Sequence, residues 1–354
     1  MDQNSPKFKA LAETIDNYVT LDLPGVGLIR DLFEARQKYQ ESPMCLNAAR
    51  LVVNTLEKEN GPALIATGFP EGAGVPETDG PVGAAMLARA LLLGMDIHSV
   101  IVTDDNWFEC VKATCIGAGL APMPLPESGV ISKIEALRPV FIKIVPKDWN
   151  KTHDICDDLL NRTRPKLMFA VERPGMNKKG VYHGMRGRVL DDLVADLDYL
   201  FRKGKEMGIP FIGFGDGGNE LGMGVFQEDL PKLLPQAKDC GCPCHGGTGA
   251  VTAADIIVVS SVSNWGVTGV IAGLALLLGD ASIMHAPEIE VRSIELCTAA
   301  GGVDGVSMGT EAGVDGISAD EWRGIIRTMR GIVLRGLGVG GERGKNTARY
   351  WRFV

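Results

Sequence analysis

The residue types best suited to chemistry lie in a glycine-rich stretch near the middle of the chain, residues 209–224. The stretch begins with apolar residues, which predict a buried strand, and then runs Gly-Asp-Gly-Gly-Asn-Glu from residue 215. Glycines let the backbone approach a ligand closely, and N–H groups at the start of a following helix can bind it. Asp216, Asn219 and Glu220 add two carboxylates and an amide, which indicates catalysis or metal binding rather than simple phosphate binding.

The glycine spacing in this stretch also matches the fingerprint of dinucleotide-binding folds, with Gly213, Gly215 and Gly218 in register. Asp216 and Glu220 would then lie beside a pyrophosphate and repel it. The fingerprint also requires an acidic residue ending the next strand about 20 residues on, and the sequence predicts no strand there. We therefore expect no nicotinamide or flavin, and a purely structural glycine turn is the other alternative.

A second polar loop follows a predicted strand and ends in Glu77-Thr78-Asp79-Gly80, just before a predicted helix with Pro81 in its first turn. Asp79 has the position of a helix cap, which is a sufficient structural explanation for it. Glu77 lies outside the first turn, so capping does not explain it. The free N–H groups at the start of this helix would suit a substrate carboxylate.

A third polar loop combines Glu172 and Arg173 with Tyr182, His183 and Arg186. Arginine is well suited to hold carboxylates because its planar group forms paired hydrogen bonds. Histidine titrates near neutral pH, so His183 would suit proton transfer. A single loop histidine is more often structural, and both interpretations stay open.

Two further motifs also leave two interpretations open. Ser263 and Asn264 lie where a predicted strand meets an apolar helix, so they either cap that helix or bind a substrate oxygen. The Cys240–His245 loop, with cysteines at 240, 242 and 244, suggests a zinc site. The one-residue spacing and the missing second cysteine pair favour a surface loop instead.

The elements that would position these loops alternate between strand and helix from residue 62 onwards. Such alternation predicts an α/β fold of three layers, with helices on both faces of a mostly parallel sheet. The four polar loops, at residues 67–80, 172–187, 213–224 and 262–266, all leave strands at one edge of the sheet, where such folds bind ligands. A helix is expected from Leu190 to Phe201. We predict an N-terminal helical segment at 1–60, an α/β catalytic domain at 61–335 and a C-terminal tail at 336–354, with strands at 63–66, 98–102, 139–145, 166–171 and 255–261 and at the start of the 209–224 stretch.

The composition is that of a globular protein, since 45% of the 354 residues are hydrophobic and 23% are charged. The net charge of −8 and the lack of a basic run argue against a nucleic-acid partner. The apolar runs are too short for a membrane span, and the first residues lack a signal-peptide core. The eight cysteines occur mostly singly, which favours a reduced, cytoplasmic chain. The terminal segments would suit contacts in a homo-oligomer.

The sequence resembles the D-glutamate cyclase C-terminal-domain family over roughly residues 20–335. The resemblance rests on four blocks in the family's order, of which Gly-Asp-Gly-Gly-Asn-Glu is the most specific. The blocks are Thr67-Gly-Phe with Glu77-Thr-Asp-Gly-Pro, Glu172-Arg-Pro-Gly, the run from Gly215 to Gly224, and Ser263-Asn-Trp-Gly. The resemblance implies a lyase that converts D-glutamate to 5-oxo-D-proline with loss of water.

Cyclising glutamate requires a base for the ammonium proton, an activated side-chain carboxyl group and the departure of water. We expect a divalent metal, Mg²⁺ or Mn²⁺, that polarises this carboxyl group and binds to Asp79, Asp216 and Glu220. A non-catalytic binder of a metabolite or nucleotide and a metal-dependent lactam or amide hydrolase are the alternatives. The predicted catalytic residues are Asp216, Glu220, Glu172 and His183. The predicted substrate-binding residues are Thr67, Glu77, Thr78, Asp79, Gly80, Arg173, Tyr182, Arg186, Gly217, Gly218, Asn219, Ser263 and Asn264.

Overall fold

Short apolar runs bounded by glycine, proline and polar residues form the strands of the protein. The computed structural model describes residues 5–57, 61–129, 131 and 137–339. In the described part of the chain, the strands are β1 (Ala63–Thr67), β2 (Pro70–Glu71), β3 (Val75–Pro76), β4 (Ser99–Asp104), β5 (Ala121–Pro124), β6 (Pro139–Val145), β7 (Leu167–Val171), β8 (Phe211–Gly215), β9 (Ile256–Val259), β10 (Gly313–Val314) and β11 (Ile317–Ser318).

Seven of these strands form one sheet in the order β5-β6-β4-β1-β7-β8-β9, and every pair in it is parallel. The predicted parallel α/β architecture is therefore confirmed. The pairs β2–β3 and β10–β11 form two small antiparallel hairpins. Both hairpins lie in segments that connect the larger elements.

Helices cover both faces of the sheet. The helices that the structure describes are α1 (Pro6–Val19), α2 (Ile29–Arg36), α3 (Met44–Leu56), α4 (Pro81–Met95), α5 (Phe108–Gly117), α6 (Trp149–Thr163), α7 (Leu197–Glu206), α8 (Leu230–Leu233), α9 (Pro235–Lys238), α10 (Ser263–Leu278), α11 (Pro287–Ala299) and α12 (Ala319–Gly336). Among the described residues, no helix is both long and apolar enough to cross a membrane.

The sheet separates two cores because successive side chains of a strand point to opposite faces. On β1, Ile65 packs in a large core together with residues of α3, α4, α10 and α12. Leu64 and Ala66 pack in a smaller core with residues of α6 and α7. Phe8 and Ile15 of α1 belong to the large core, so the N-terminal helices share it with the sheet.

Three of the larger elements differ from the sequence predictions, and the short hairpins β2–β3 and β10–β11 and the short helices α8 and α9 were not predicted either. Strand β5 was not predicted because its two prolines are poor strand formers, but it is an edge strand, where proline is tolerated. The helix expected from Leu190 begins only at Leu197, because the Asp196 side chain caps it. Helix α11 was also not predicted. A capping box of Ser318 and Glu321 begins α12.

The four strands that carry the polar loops are neighbours in the sheet. They are β1, β7, β8 and β9, and they form one contiguous half of it. Because parallel strands end at the same edge, the loops after them meet above that edge. The predicted tail begins at the end of α12, and residues 340–354 lie outside the described part of the chain.

Candidate active site

Carboxylates from several loops converge at the carboxyl edge of the sheet. One group consists of Asp79, Asp216 and Asp315, and a second of Glu172, Asp216 and Glu220. Within each group, one oxygen of every carboxylate lies within 4.8 Å of the others. Asp216 belongs to both groups, so it joins them into one acidic cluster. Oxygen ligands at this spacing suit a hard divalent cation such as Mg²⁺ or Mn²⁺.

Asp79 lies at the start of α4 but caps α10. Its carboxylate accepts hydrogen bonds from the backbone N–H groups of Ser263 and Asn264, both at 2.8 Å. Asn264 in turn accepts from the N–H groups of Gly80 at 2.9 Å and Gly83 at 2.7 Å, and so caps α4. Two of the N–H groups expected to bind a substrate carboxylate, those of Gly80 and Gly83, thus donate to Asn264 instead, and two positive helix ends face the acidic cluster.

Glu172 is held in an uncommon backbone conformation. Its φ is +40°, in the left-handed region that non-glycine residues rarely adopt. One carboxylate oxygen accepts a hydrogen bond from the Ser263 hydroxyl at 2.7 Å. Gly80 packs directly against it, since a Cβ at Gly80 would lie 2.9 Å from the Glu172 Cβ and 2.8 Å from the Thr67 hydroxyl. Strain of this kind is concentrated at functional sites.

The glycine-rich loop after β8 wraps around the Glu220 carboxylate. The N–H groups of Gly217 and Gly218 donate to its two oxygens at 2.8 and 2.7 Å. A Cβ at Gly217 would lie 2.9 Å from a Glu220 oxygen, 2.8 Å from the Asn219 amide oxygen and 2.5 Å from the Met185 sulfur. Glycine is therefore required here by close approach, as the sequence indicated.

The cluster carries strong mutual repulsion. Burial raises the pKa of Asp79 to about 7, although three backbone donors oppose the shift. Burial also raises the pKa of Glu220, opposed by the N–H groups around it. For four further groups, burial and then neighbouring carboxylates raise the pKa well above its ordinary value: Glu77, Glu172, Asp216 and Asp315.

No positive side chain neutralises these six groups within the part of the chain that the structure describes. Every ion pair among the described residues is formed by a carboxylate outside this set. An ammonium group or a divalent cation in the cluster would therefore stabilise the ionised carboxylates. A set of ionisable groups whose pKa values are strongly raised by burial and by one another is also typical of functional sites.

Comparison with known proteins identifies the family of the chain. Residues 15–330 match the family described as D-glutamate cyclase-like, C-terminal. The chain belongs to this D-glutamate cyclase-like family. The human mitochondrial D-glutamate cyclase is 29% identical over 215 residues, which cover 57% of this chain. The same alignment covers 31% of the human protein, so the chain corresponds to under a third of that relative's length.

In this member of the family, two polar atoms near the cluster are buried without a described hydrogen-bond partner. They are the Thr67 hydroxyl and the amide oxygen of Asn219. The Asn219 amide nitrogen donates to the His183 carbonyl at 2.9 Å, which fixes the side chain. The Thr78 hydroxyl donates to the Gly313 carbonyl at 2.8 Å and so ties the β10–β11 hairpin to the site. Unpaired buried groups of this type are suited to hold a ligand.

Arg173 and Tyr182 lie outside the cluster. The Arg173 guanidinium is completely buried and forms an ion pair with Asp104, and it donates to the Ala195 carbonyl at 2.7 Å. The Tyr182 hydroxyl donates to Asp196 at 2.9 Å. Arg186 is exposed, and it lies close enough to Glu71 to lower the pKa of that group, against the effect of burial. Of the two arginines predicted to bind substrate, Arg186 is therefore exposed and Arg173 is buried in an ion pair.

His183 is also separated from the carboxylates. Its ring is buried against the cysteine loop, with Nε2 at 3.3 Å from the Cys242 sulfur. Its Nδ1 lies 3.1 Å from the Val181 carbonyl. Its backbone carbonyl, rather than its ring, contacts the site through Asn219. The imidazole therefore contacts thiols, and it is not placed to transfer protons among the acidic groups.

Sequence reasoning missed Asp315. This residue occupies the turn of the β10–β11 hairpin with a φ of +51°, and the segment lies far along the chain from the four predicted loops. One signal was present: the segment Gly-Val-Asp-Gly occurs at residues 302–305 and again at 313–316. An Asp-Gly pair is a strong turn signal. Asp304 in the first copy is structural, since it accepts N–H groups of Val306, Ser307 and Gly316.

Proposed function

We propose that the protein is a carbon–oxygen lyase that cyclises D-glutamate, or a related small acidic amino acid, to 5-oxo-D-proline with loss of water. Membership of the D-glutamate cyclase-like family supports this class of reaction. The observation that carries the proposal is the acidic cluster of Asp79, Glu172, Asp216, Glu220 and Asp315 with the adjacent Glu77, all buried or half-buried and without a cationic partner among the described residues. Such a cluster attracts a substrate ammonium group and contains groups that can exchange its protons.

The reaction needs proton transfer at two atoms. The substrate amine is protonated at neutral pH and must lose a proton before its nitrogen attacks the side-chain carboxyl carbon. The new C–N bond forms, and one C–O bond of that carboxyl group breaks. Two protons from the original ammonium group end on the departing oxygen as water, so the balance needs no further reactant. A carboxylate as base and a protonated carboxyl group as acid perform this transfer.

Asp216 is the group we assign to accept the ammonium proton. It belongs to both carboxylate groups and is half-buried, so it is accessible to a substrate. Glu220 is less suited, because both of its oxygens accept backbone N–H groups. Burial and then neighbouring carboxylates raise the pKa of Glu172, which favours its protonated form, so it would donate a proton to the departing oxygen.

The remaining groups would orient the substrate. The Thr67 hydroxyl and the Asn219 amide oxygen have no hydrogen-bond partner among the described residues and would bind the amine or carboxyl groups of the substrate. The exposed Arg186 would attract the carboxylate that does not react. Holding the substrate in a folded conformation removes much of the entropic cost of ring closure.

The cluster also fits a divalent cation. The donors are all carboxylate oxygens, and the repulsion that raises their pKa values would be relieved by a positive ion. Asp79, Asp216 and Asp315 would hold it, or Glu172, Asp216 and Glu220. A bound Mg²⁺ or Mn²⁺ would polarise the carboxyl group under attack.

Incubation of the purified protein with D-glutamate, with and without Mg²⁺ or Mn²⁺, tests the proposal. We expect 5-oxo-D-proline to accumulate in proportion to enzyme, and L-glutamate serves as the matched control for stereochemistry. The reverse reaction is assayed from 5-oxo-D-proline, since a lactam hydrolase would open the ring. Stabilisation of the protein by D-glutamate in a thermal shift, without product in either direction, would show a binding protein and overturn the lyase assignment.

A further inference from the structure

A second cluster of metal-binding side chains lies outside the acidic site. It consists of Cys240, Cys242 and Cys244 and the imidazole of His183, whose ligand atoms all lie within 4.8 Å of one another. The Cys240 sulfur is 3.3 Å from that of Cys242 and 3.4 Å from that of Cys244. The His183 Nε2 is 3.3 Å from the Cys242 sulfur and 3.9 Å from the Cys244 sulfur.

From these contacts we infer that Cys240, Cys242, Cys244 and His183 bind a structural Zn²⁺. Zinc lies about 2.3 Å from sulfur and about 2.0 Å from nitrogen in tetrahedral sites. Tetrahedral angles then place sulfur atoms about 3.8 Å from one another and about 3.6 Å from the nitrogen. The two nitrogen–sulfur separations, 3.3 and 3.9 Å, lie on either side of the second value, and the two sulfur–sulfur separations, 3.3 and 3.4 Å, are about 0.4–0.5 Å shorter than the first. Three thiolates and one histidine are a ligand set of structural zinc sites, whereas Mg²⁺ and Mn²⁺ prefer oxygen.

The groups around the cluster favour metal binding through their hydrogen bonds to the histidine and to the sulfur atoms. His183 Nδ1 donates to the Val181 carbonyl at 3.1 Å, which leaves the Nε2 lone pair directed at the sulfur atoms. Backbone N–H groups donate to the sulfurs: Cys244 N–H to Cys242 at 3.4 Å and Gly246 N–H to Cys244 at 3.3 Å. Such bonds stabilise thiolates, the form in which cysteine binds metals.

A disulfide explains the cluster less well. It would join two of the three sulfurs at about 2.0 Å and leave the third cysteine and the histidine without a role. The fourth ligand also answers the objection that the sequence holds no second pair, because it comes from a distant loop. His245, the histidine next to the cysteines, is exposed and bonds to Asp239 instead.

The zinc would fasten two loops beside the acidic cluster. Asn177 joins the same loops, since its amide nitrogen donates to the Gly247 carbonyl at 2.7 Å. The His183 carbonyl holds Asn219, and the Ala250 N–H donates to the Gly218 carbonyl at 3.0 Å. The metal would therefore hold the glycine-rich loop in place, which is a structural role independent of the proposed reaction.

Metal analysis of the full-length protein, purified without chelators from zinc-supplemented cells, tests the inference. We expect about one zinc per chain, with loss of at least tenfold in His183→Ala and Cys242→Ser. His245→Ala and Asp216→Asn are matched controls that should keep the zinc, and Asp216→Asn separates this site from the carboxylates. Zinc that persists in both ligand variants would overturn the assignment.

A spectroscopic titration covers the case in which these variants fail to fold. Reduced wild-type protein is stripped of metal and titrated with Co²⁺ alone. Thiolate ligands give a strong sulfur-to-cobalt absorption band, and we expect this band together with tetrahedral cobalt spectra that Zn²⁺ abolishes. Absence of the sulfur band in folded protein would refute the site whatever the outcome of the D-glutamate assay.

Discussion

Asp79 lies just before α4 and caps α10, whereas Asn264 lies in the first turn of α10 and caps α4. Asp79 precedes α4 and accepts the first N–H groups of α10, while Asn264 in α10 accepts the N–H groups of Gly80 and Gly83 in α4. The Asn264 amide nitrogen also donates to the Thr78 carbonyl at 3.1 Å. This exchange fixes two helix ends against each other and places the Asp79 carboxylate, with a pKa raised to about 7 by burial, beside the acidic cluster.

Replacing Asn264 with alanine should destabilise the fold. The variant leaves the buried N–H group of Gly83 without its acceptor, at about 1–3 kcal/mol, and leaves the N–H group of Gly80 only its bond to Asp79. Urea unfolding measures the loss in the free energy of unfolding. Asp148→Ala is the matched control, because Asp148 caps α6 at an exposed position and accepts one N–H, from Lys151. We expect about 1 kcal/mol or less for it, and equal losses for both variants would contradict the shared role of Asn264.

Glu77→Gln should stabilise the protein at alkaline pH. The pKa of Glu77 is raised well above 4.5 by burial and by Asp315 and Asp79, so the folded chain keeps this proton where the unfolded chain has released it. Its contribution to stability is therefore complete below pH 4.5 and is lost as the pH rises through the higher folded value. Glutamine carries no charge and avoids this loss.

Thermal or urea unfolding at pH 5 and pH 8 measures the effect. We expect the variant to gain about 1 kcal/mol or more over the wild type at pH 8 and clearly less at pH 5. Glu34→Gln on the exposed face of α2 should show no such difference. A gain that is the same at both pH values would show that burial of the Glu77 charge is not its cause.

Gly217→Ala should lower catalysis more than stability. The added Cβ would contact the Met185 sulfur, the Asn219 amide oxygen and a Glu220 oxygen at 2.5–2.9 Å, so the side chains that form the site must move. Displacements near 1 Å cost about 100-fold in rate. Gly184→Ala is the control, because a Cβ there meets nothing within 4 Å and its φ is not in the left-handed region. Equal kcat values for the two variants would contradict the assigned geometry.

Arg173→Ala should unfold or strongly destabilise the protein, because it leaves Asp104 buried and unpaired. Breaking a buried pair costs about 3–5 kcal/mol, and Asp104→Ala should cost a similar amount. Arg30→Ala, which breaks the exposed pair with Glu34, should cost about 0.5 kcal/mol or less. A folded Arg173→Ala protein whose KM alone rises would instead identify Arg173 as a clamp for the substrate carboxylate.

The sequence was informative where local chemistry decides structure. The apolar runs correctly predicted six of the seven strands of the sheet, and their alternation with helices predicted a parallel sheet between two layers of helices. Gly215 and Gly217 of the 213–224 loop are required by the close approach of the Glu220 side chain. Strand β5 was not predicted because its prolines are tolerated only at a sheet edge, and sequence alone does not reveal that position.

Residues that depend on distant contacts could not be placed from the sequence. Asp79 was expected to cap its own helix, yet it caps α10, and Asp315 arrives from a hairpin far along the chain. His183 and the cysteines are separated by more than fifty residues, so ligand spacing within the Cys240–His245 segment gave no hint of their meeting. In each case tertiary packing, rather than local propensity, selects the partner.

Asp216→Asn should abolish the cyclisation and leave the fold intact. Asp216 joins both carboxylate groups, and its pKa is raised by burial and then by Glu220 and Asp315, so the uncharged amide removes repulsion from the folded protein. The melting temperature should therefore be unchanged or higher. Loss of proton transfer should lower kcat by about 100- to 10,000-fold, measured as 5-oxoproline formed from D-glutamate. Asp192→Asn, at an exposed carboxylate of a neighbouring loop, should retain the wild-type rate. If the Asp216 variant turned over normally, another carboxylate of the cluster would have to accept the ammonium proton, and Glu172→Gln would be the next variant to assay because its second oxygen is not held by Ser263.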